Sequence, residues 1–236
     1  MTSEITRRAA LSLVGAGTTV FLSACAATNV FVGTQEDASS PSASPKDYKG
    51  EAKLEEYDTS AGTFEPATHD TPPKNVPKPI KPKNADEDSV AGLYSSIAFL
   101  GAAITYALLT GEVGPVNESA LNEENRENFT SGLTLDKIRE GKYWEAEPKA
   151  VFFLETSEPT KEGDEYIWPH QMESRHGAFR VDVTETSTER SVEVSTIPTS
   201  QQVSKGGGKI KAKYTGGQWV IDFEFDKSSS SASPSY

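Results

Sequence analysis

An uncharged apolar run in the middle of the chain predicts a helix. Residues 90–109, VAGLYSSIAFLGAAITYALL, contain no Asp, Glu, Lys or Arg. Large aliphatic residues recur in this run every three or four positions, the spacing that places them on one face of an α-helix: Leu93, Ile97, Leu100, Ile104 and Leu108. Ser89 is a suitable N-cap and Gly111 a suitable C-cap. We therefore predict a buried core helix over residues 90–109.

The same run is long enough to cross a bilayer, so a membrane span over residues 90–109 is the alternative. If the preceding part of the chain lies outside the cell, residues 110–118 would lie inside it. That segment, TGEVGPVNE, has no Lys or Arg, while the segment before the run has several. Such a distribution contradicts the positive-inside rule and favours the core helix.

After this helix the hydrophobic period changes from helical to alternating. Two shorter helices are predicted over residues 117–129 and 134–140. Five strands are predicted after them, over residues 149–156, 177–186, 191–197, 209–214 and 218–225. Gly216 and Gly217 predict a hairpin turn between the last two strands. Helices followed by strands indicate an α+β domain with an antiparallel sheet, over residues 86–227.

Two segments lack the bulky apolar residues that a core needs. Residues 25–85 hold eight of the fourteen prolines, and we predict a disordered Pro/Ser-rich tether there. Within it, residues 72–83, PPKNVPKPIKPK, favour an extended polyproline II strand. This strand would act as a stiff spacer or, alternatively, would pack on the domain or bind a partner. Residues 228–236 predict a disordered tail.

The charge and the cysteine content of the chain exclude some functions and some kinds of site. The chain has 35 acidic and 23 basic side chains, a formal net charge of −12. Nucleic-acid binding needs clustered cations, so we expect no nucleic-acid partner. Cys25 is the single cysteine, which excludes an intramolecular disulfide and a multi-cysteine zinc site.

The amino terminus has the parts of an export signal. Arg7 and Arg8 precede an uncharged apolar run over residues 11–21, which is too short for a permanent membrane span. The next residues, Leu22-Ser23-Ala24-Cys25, resemble the lipobox of bacterial lipoproteins. This resemblance implies that residues 1–24 form a signal peptide, which is cleaved between Ala24 and Cys25.

The lipobox resemblance also implies a lipid anchor on the sulfur of Cys25. Two fatty acyl chains, of the palmitate kind, give stable attachment at about 0.8 kcal/mol per buried methylene group. The expected location is the cell membrane, facing outside, with the membrane as a partner through the lipid. Arg7 and Arg8 also resemble a twin-arginine motif without its usual Phe, so the twin-arginine and general secretory routes both stay open.

The order of elements resembles the nuclear-transport-factor-two-like fold, in which a curved sheet wraps around an initial helix. Residues 214–221, YTGGQWVI, look like the final hairpin of that fold. The resemblance implies a long N-terminal helix followed by a curved, cone-like antiparallel sheet.

A second resemblance covers residues 63–112. The segments that carry it are FEPAT (64–68), NVPKP (75–79), AGL (91–93), TYA (105–107) and TGE (110–112). They are similar to a family of actinobacterial lipoproteins of unknown function. This implies an uncharacterised surface lipoprotein and no particular activity. Some relatives have a cysteine pair after the first helix, which this chain lacks.

Candidate metal ligands are few. His170, Glu173 and His176 could supply two imidazoles and a carboxylate. Their spacing of three suits a helix, but Pro169 and Gly177 predict a loop between strands. We therefore treat these residues as weak candidates and expect solvent-exposed loop histidines without a metal.

The sequence shows no catalytic constellation. Asp164, Glu165 and Asp182 could act as acid/base groups, but no pair is distinguished from the other carboxylates. Residues 205–209, KGGGK, lack the spacing of a phosphate-binding loop and predict a flexible hairpin. We expect no catalytic residue and no cofactor, and the residues of a ligand pocket cannot be assigned.

These features lead to an expected function with two alternatives. The main hypothesis is a non-catalytic, lipid-anchored cell-surface protein whose α+β domain binds a small ligand or a cell-envelope protein. One alternative is an extracytoplasmic enzyme with an acid/base site inside the cone, which requires His176 or a carboxylate buried in a pocket. The other is a two-anchor membrane protein that spans at residues 90–109.

Overall fold

The structure is a computed structural model that describes residues 46–226. The predicted signal peptide, with Arg7, Arg8, Ala24 and Cys25, lies outside the described residues, as does the predicted tail over 228–236. The described part is a mixed α+β structure with antiparallel sheets, as the sequence predicts.

Four α-helices lie in the described part: α1 (Val90–Thr110), α2 (Gly114–Asn117), α3 (Glu123–Thr130) and α4 (Leu133–Arg139). The strands of residues 46–226 are β1 (Gly50–Glu51), β2 (Tyr57–Asp58), β3 (Lys78–Pro79), β4 (Tyr143–Glu145), β5 (Lys149–Leu154), β6 (Thr160–Glu162), β7 (Glu165–Arg175), β8 (Phe179–Glu185), β9 (Arg190–Thr196), β10 (Val203–Thr215) and β11 (Gln218–Phe225). A short 3₁₀ helix covers Thr199–Gln201.

Helix α1 begins and ends where its capping residues predict. The side chain of Ser89 accepts a hydrogen bond from the backbone N–H of Gly92 at 3.0 Å. Gly111 adopts the left-handed conformation, and its N–H donates to the carbonyl of Ala107 at 2.7 Å. Both caps satisfy backbone groups that the helix ends would otherwise leave unpaired.

Helix α1 is also the one helix in residues 46–226 that is long and apolar enough to cross a membrane, with a hydropathy of 1.6. Its apolar stripe is covered by protein: Leu93, Ile97 and Leu100 are fully buried. A core helix passes the same test of length and composition. The packing therefore favours the predicted core helix over a membrane span.

The larger sheet supplies the surface on which α1 packs. Its strand order is β1-β5-β7-β10-β11, antiparallel throughout, and β6 forms a hairpin with the beginning of β7. Side chains alternate between faces along each strand. Those on the face toward α1 include Phe152, Trp168, Ile210 and Ile221, and all four belong to the same buried cluster as the α1 stripe.

The smaller sheet has the order β4-β8-β9 and its own apolar cluster. Trp144, Val181 and Val183 are buried on one face, where Ala67 and Phe179 pack against them. The opposite face carries the alternating polar residues of β4 and β8.

Residues 46–85, which belong to the predicted disordered tether, are instead packed on the domain. Strand β1 pairs with β5, and the Tyr48 ring lies 4.7 Å from that of Tyr94. The carbonyl of Ala85 accepts from the hydroxyl of Ser96 at 2.6 Å, and that of Thr68 accepts from Trp144 Nε1 at 2.8 Å. The composition of this segment predicts no core of its own, but its backbone groups pair with a core formed by the rest of the chain.

The proline-rich part of that segment follows the alternative that it packs on the domain. Lys78–Pro79 form β3, which pairs with β2. Pro79 is buried. The folded domain thus begins no later than residue 46, rather than at residue 86.

Two predicted loops are parts of long strands. Residues 168–176 were expected to form a loop, but all except His176 lie in β7. Pro169 is tolerated there because its missing N–H faces Glu155, which lies just beyond the end of β5 at Leu154. The carbonyl of Pro169 still accepts from the N–H of Glu155 at 3.0 Å.

The predicted hairpin over residues 205–209 lies inside β10. Strand β10 pairs with β7 on one side, and β11 pairs with it from Gly208 onward on the other. This pairing outweighs the low strand propensity of the three glycines. The predicted hairpin turn at Gly216 and Gly217 is confirmed, because these residues join β10 to β11.

Shortening the chain tests the revised domain boundary. We expect a chain that begins at Asp86 to be much less stable than one that begins at Lys46. The shorter chain loses β1, the Tyr48 ring that lies 6.1 Å from Trp168, and the Ala85 carbonyl that satisfies the buried Ser96 hydroxyl. Urea denaturation followed by tryptophan fluorescence measures the difference. Equal midpoints for the two chains would contradict the boundary at residue 46.

Candidate functional site

A cleft of about 450 Å³ lies between the two sheets and is bordered by α1 and α4. We refer to it as the cleft. Its polar walls are formed by side chains from β4, β8, α4 and the β7–β8 connection, among them Tyr143, Glu145, His176, Arg180, Asp182 and Lys137. The volume is within the range of cavities that bind small molecules, about 300–1,000 Å³.

Strand alternation places the polar side chains of the cleft on one face of the smaller sheet. Tyr143 and Glu145 are two residues apart on β4, while Trp144 between them points to the buried apolar face. Tyr143 is opposite Asp182 of β8, and Glu145 is opposite Arg180. Residues directly opposite in an antiparallel pair have neighbouring side chains, so these four form one polar patch.

His176 joins this patch from the end of the larger sheet. It follows β7 directly, and its N–H donates to the carbonyl of Gln202 at 2.7 Å. The next residue, Gly177, lies so close to the segment after β4 that a Cβ there would be 2.6 Å from the backbone nitrogen of Glu147. This close approach brings the imidazole of His176 to the carboxylate of Glu145.

Glu145 accepts two short hydrogen bonds. The Tyr143 hydroxyl donates to Oε1 at 2.6 Å, and Nδ1 of His176 donates to Oε2 at 2.8 Å. The side chain of Glu145 is 13% exposed and that of His176 is 36% exposed. The carboxylate is thus held inside the wall of the cleft, while the imidazole reaches its opening.

The three groups influence one another's protonation. Burial alone would raise the pKa of Glu145, but the hydrogen bonds from His176 and Tyr143 outweigh it and lower that pKa. The Glu145 carboxylate raises the pKa of His176 against the opposing effect of burial. Burial and the hydrogen bond to Glu145 raise the pKa of Tyr143 above its usual range. The group therefore holds an ionised carboxylate, a neutral phenol and an imidazole biased toward the cation.

Replacing the carboxylate tests this account. In Glu145→Gln the pKa of His176 should fall, because the amide no longer provides the negative charge that favours the imidazolium. A pH titration of the His176 ring resonances by NMR measures the change. Tyr143→Phe is the matched control, since it removes one donor to Glu145 but keeps the carboxylate beside His176. An unchanged titration in Glu145→Gln would show that Glu145 does not control the imidazole.

The structure separates the three weak metal candidates. His170 and Glu173 both lie on β7, but their odd spacing puts them on opposite faces of the sheet. Glu173 pairs with Arg175 at 2.8 Å and Lys205 at 2.5 Å, and His176 pairs with Glu145. In residues 46–226 no group of three metal-binding side chains has a suitable arrangement.

His170 is fully buried rather than exposed on a loop. Its ring centroid lies 5.9 Å from that of Phe152, 5.5 Å from that of Phe223 and 6.0 Å from that of Phe225. Neither ring nitrogen has a hydrogen-bond partner among residues 46–226. Burial lowers the pKa of His170 to about 4, so the ring is neutral at physiological pH.

A second concavity is apolar and more open. It has a volume of about 490 Å³ and lies between α1 and the segment around β2, with Ala150 and Val151 of β5 at one side. Its aromatic edge includes Tyr57 and Phe64, which are 42% and 40% exposed. We refer to it as the apolar groove. It contains no cluster of polar side chains comparable to that of the cleft.

Sequence reasoning missed most of the cleft. The sequence offers His176 as a weak metal candidate and as a group that an acid/base site would require, and Asp182 as a possible acid/base group, but it does not bring them together with Tyr143. Glu145 and Arg180 had no signal of their own. The available signal was the alternation in residues 143–145, YWE, and 179–183, FRVDV, which places the polar members of both strands on one face.

Comparison with known proteins assigns the chain to a family. A family described as of unknown function, DUF6318, matches residues 62–224, more than half of the chain. The chain belongs to the DUF6318 family. This confirms the predicted membership of a family of unknown function, while the actinobacterial and lipoprotein parts of that resemblance stay predictions. The match includes the main residues of the cleft and begins inside the predicted tether.

No curated protein and no solved structure matches this DUF6318 protein. The description of the family names no activity.

Proposed function

We propose that this DUF6318 protein is a non-catalytic, lipid-anchored cell-surface protein that binds a small ligand in the cleft. The observation that carries the binding part is the arrangement of Tyr143, Glu145 and His176 in an open concavity of about 450 Å³. Two hydrogen bonds fix the Glu145 carboxylate before any ligand arrives. A site whose polar groups are already oriented loses less conformational entropy on binding.

The anchoring part rests on the sequence. The lipobox-like Leu22-Ser23-Ala24-Cys25 follows a basic pair and an apolar run. A diacylated Cys25 would keep the acidic domain at the outer face of the cell membrane, because two acyl chains give stable attachment. We further propose that α1 and the larger sheet belong to the cone-like, nuclear-transport-factor-two-like class. The packing of the long α1 on one face of an antiparallel sheet supports this proposal.

Labelling with a fatty-acid analogue tests the anchor. We expect the wild-type chain, expressed in a bacterium that processes lipoproteins, to incorporate an alkyne-bearing palmitate analogue, and Cys25→Ala to lose all of this label. Ala24→Ser is a control that keeps the sulfur and a small residue at the cleavage position. Retained label in Cys25→Ala would refute the anchor at this residue.

Ligand mapping by NMR tests the binding part. A collection of small molecules that are anionic, neutral and cationic at pH 7 is added to the ¹⁵N-labelled protein. Support for the proposal is a set of concentration-dependent shifts at Glu145, His176 and Arg180. Shifts confined to the apolar groove, or no shifts with any charge class, would contradict binding in the cleft.

The second candidate function is an enzyme that uses His176 for proton transfer. The pairing of a carboxylate with one nitrogen of an imidazole, which leaves the other nitrogen facing a cleft, favours it. The two functions differ in what happens to a bound molecule. A ligand recovered unchanged after long incubation supports binding alone, whereas a conversion that disappears in His176→Gln supports the enzyme.

A further inference from the structure

We infer that the ligand of the cleft is an oxyanion, a carboxylate or phosphate group carried on a small apolar body. This inference rests on the proposed function, because it names the chemical class that the same cleft accepts. Four features of the cleft support it: the excess of cationic side chains, the internal pairing of its carboxylates, its unused hydrogen-bond donors, and its apolar wall.

The charge of the cleft is opposite to that of the protein. The whole chain has a formal net charge of −12. The residues that line the cleft include four with permanently cationic side chains, Lys137, Lys149, Arg175 and Arg180, and two carboxylates, Glu145 and Asp182. Arg175 is paired with Glu173 and Lys137 with Asp182, so Lys149 and Arg180 carry the unpaired positive charge. A positive concavity in an acidic protein attracts anions locally and repels small cations.

The two carboxylates of the cleft already have donors. Both oxygens of Glu145 accept hydrogen bonds, from Tyr143 and His176. Asp182 accepts from the ammonium group of Lys137 at 3.3 Å. An entering cation or hydrogen-bond donor would have to displace these contacts, so the acidic groups are poorly placed to bind a ligand.

Three donors of the cleft are unused. Among the residues that the structure describes, the side chains of Arg180 and Lys149 form no hydrogen bond or ion pair, and Nε2 of His176 has no hydrogen-bond partner. Because Nδ1 is held by Glu145, the second N–H of a protonated His176 remains available to a ligand. Guanidinium and imidazolium N–H groups form short, charge-assisted hydrogen bonds with carboxylate or phosphate oxygens.

The remaining wall of the cleft suits an apolar body. Leu108 of α1, Ile138 of α4, Pro148 and Ile197 line it, and Ile138 and Pro148 are buried. These side chains come from different elements than the unused donors. An anionic head and an apolar body can therefore be accommodated together.

The test uses four probes of nearly equal size that differ in charge: benzoate, phenyl phosphate, benzamide and benzylamine. Each is titrated at pH 6.5 into the full chain carrying Cys25→Ala, and binding is followed by NMR shifts of cleft residues. We expect benzoate or phenyl phosphate to bind at least tenfold more tightly than benzamide, and benzylamine not to bind. The stronger of the two anions identifies the oxyanion.

Substitution of one unused donor tests whether it binds the anion. Arg180→Gln should weaken binding of the preferred anion by about tenfold, the loss of one charge-assisted contact. Arg190→Gln is the matched control, since Arg190 lies on β9, pairs with Glu185 and does not line the cleft. Equal weakening in both variants would show a general charge effect and overturn the inference.

The outcomes separate this inference from the proposed function. If benzamide or benzylamine shifts the cleft residues and the anions do not, the cleft binds ligands but the oxyanion class is wrong. If no probe and no member of the wider collection shifts these residues, the binding function and the inference both fail.

Discussion

Replacing Gly111 with Ala should destabilise this DUF6318 protein by about 3 kcal/mol or more. Gly111 ends α1 with a φ of 75°, a conformation that costs other residues about 1–2 kcal/mol. A Cβ there would also lie 2.5 Å from the carbonyl oxygen of Leu135 and 2.6 Å from the backbone nitrogen of Arg139. The end of α1 would have to move away from α4. Urea denaturation measures the loss.

Gly141→Ala is the control for the backbone conformation. Gly141 has a φ of 67°, but an added Cβ would have no atom within 4 Å. This variant should lose only the conformational part, about 1 kcal/mol. The difference between the two variants then reports the contact between α1 and α4. If both lost the same stability, the close packing at Gly111 would be refuted.

The Gly111 variant also bears on function. Arg139 of α4 donates to the Gly111 carbonyl at 2.7 Å, and Ile138 of α4 lines the cleft. A displaced α4 would alter the apolar wall of the cleft. We therefore expect Gly111→Ala, but not Gly141→Ala, to weaken the binding of any ligand of the cleft.

Replacing His170 with Leu should abolish a loss of stability of about 3 kcal/mol that the wild-type protein undergoes on acidification. The pKa of His170 is lowered from 6.5 to about 4 in the folded protein, and each pKa unit corresponds to about 1.4 kcal/mol. The unfolded chain therefore binds more protons between pH 6.5 and pH 4, so wild-type stability is full above pH 6.5 and falls as the pH decreases toward 4. The neighbouring carboxylate of Asp226 opposes this effect only in part.

The free energy of unfolding of wild type and His170→Leu is compared from pH 7 to pH 4. At pH 7 the variant should be more stable by about 1–2 kcal/mol, because two buried nitrogens without partners among residues 46–226 are removed. His170→Gln is the control, since it removes the titrating group but keeps a buried polar one. His170→Gln should lose the pH dependence, and at pH 7 it should be less stable than His170→Leu. An identical pH slope in wild type and His170→Leu would contradict the buried, neutral imidazole.

The elements that the sequence predicted well are those whose signals are local. Helix α1 was predicted to begin after Ser89 and end before Gly111, because the helical spacing and both caps are contained in one segment. The bounds of β5, β8, β9 and β11 all lie within two residues of the predicted bounds, since alternation is also local.

The predictions that were wrong share another cause, which is pairing between distant parts of the chain. Pro169 and the glycines at 206–208 are poor strand formers, yet they lie in β7 and β10 because neighbouring strands pair with them. Residues 46–85 have too few apolar residues for a core, yet they contribute β1 and the carbonyls that satisfy Trp144 and Ser96. In each case a partner distant in sequence supplied the stabilisation that local composition lacked.

The cleft likewise depends partly on local sequence patterns and partly on contacts between distant residues. The alternation that puts Tyr143 and Glu145 on one face of β4 is present in the sequence. The pairing of Glu145 with His176 joins residues that are 31 positions apart and depends on how the two sheets meet. His170 is buried among phenylalanines for the same reason, because they come from β5 and β11.

The sequence alone determined the class of the fold, the core helix and the family, and it supplies the prediction of a lipid anchor at Cys25. Periodicity, caps and short motifs need only neighbouring residues, so they can be interpreted without a structure. Only the tertiary structure decided where the domain begins, which histidine is buried and which one faces a cleft. These properties depend on burial and on pairings between distant segments, and the chain acquires them only when the sheets assemble on α1.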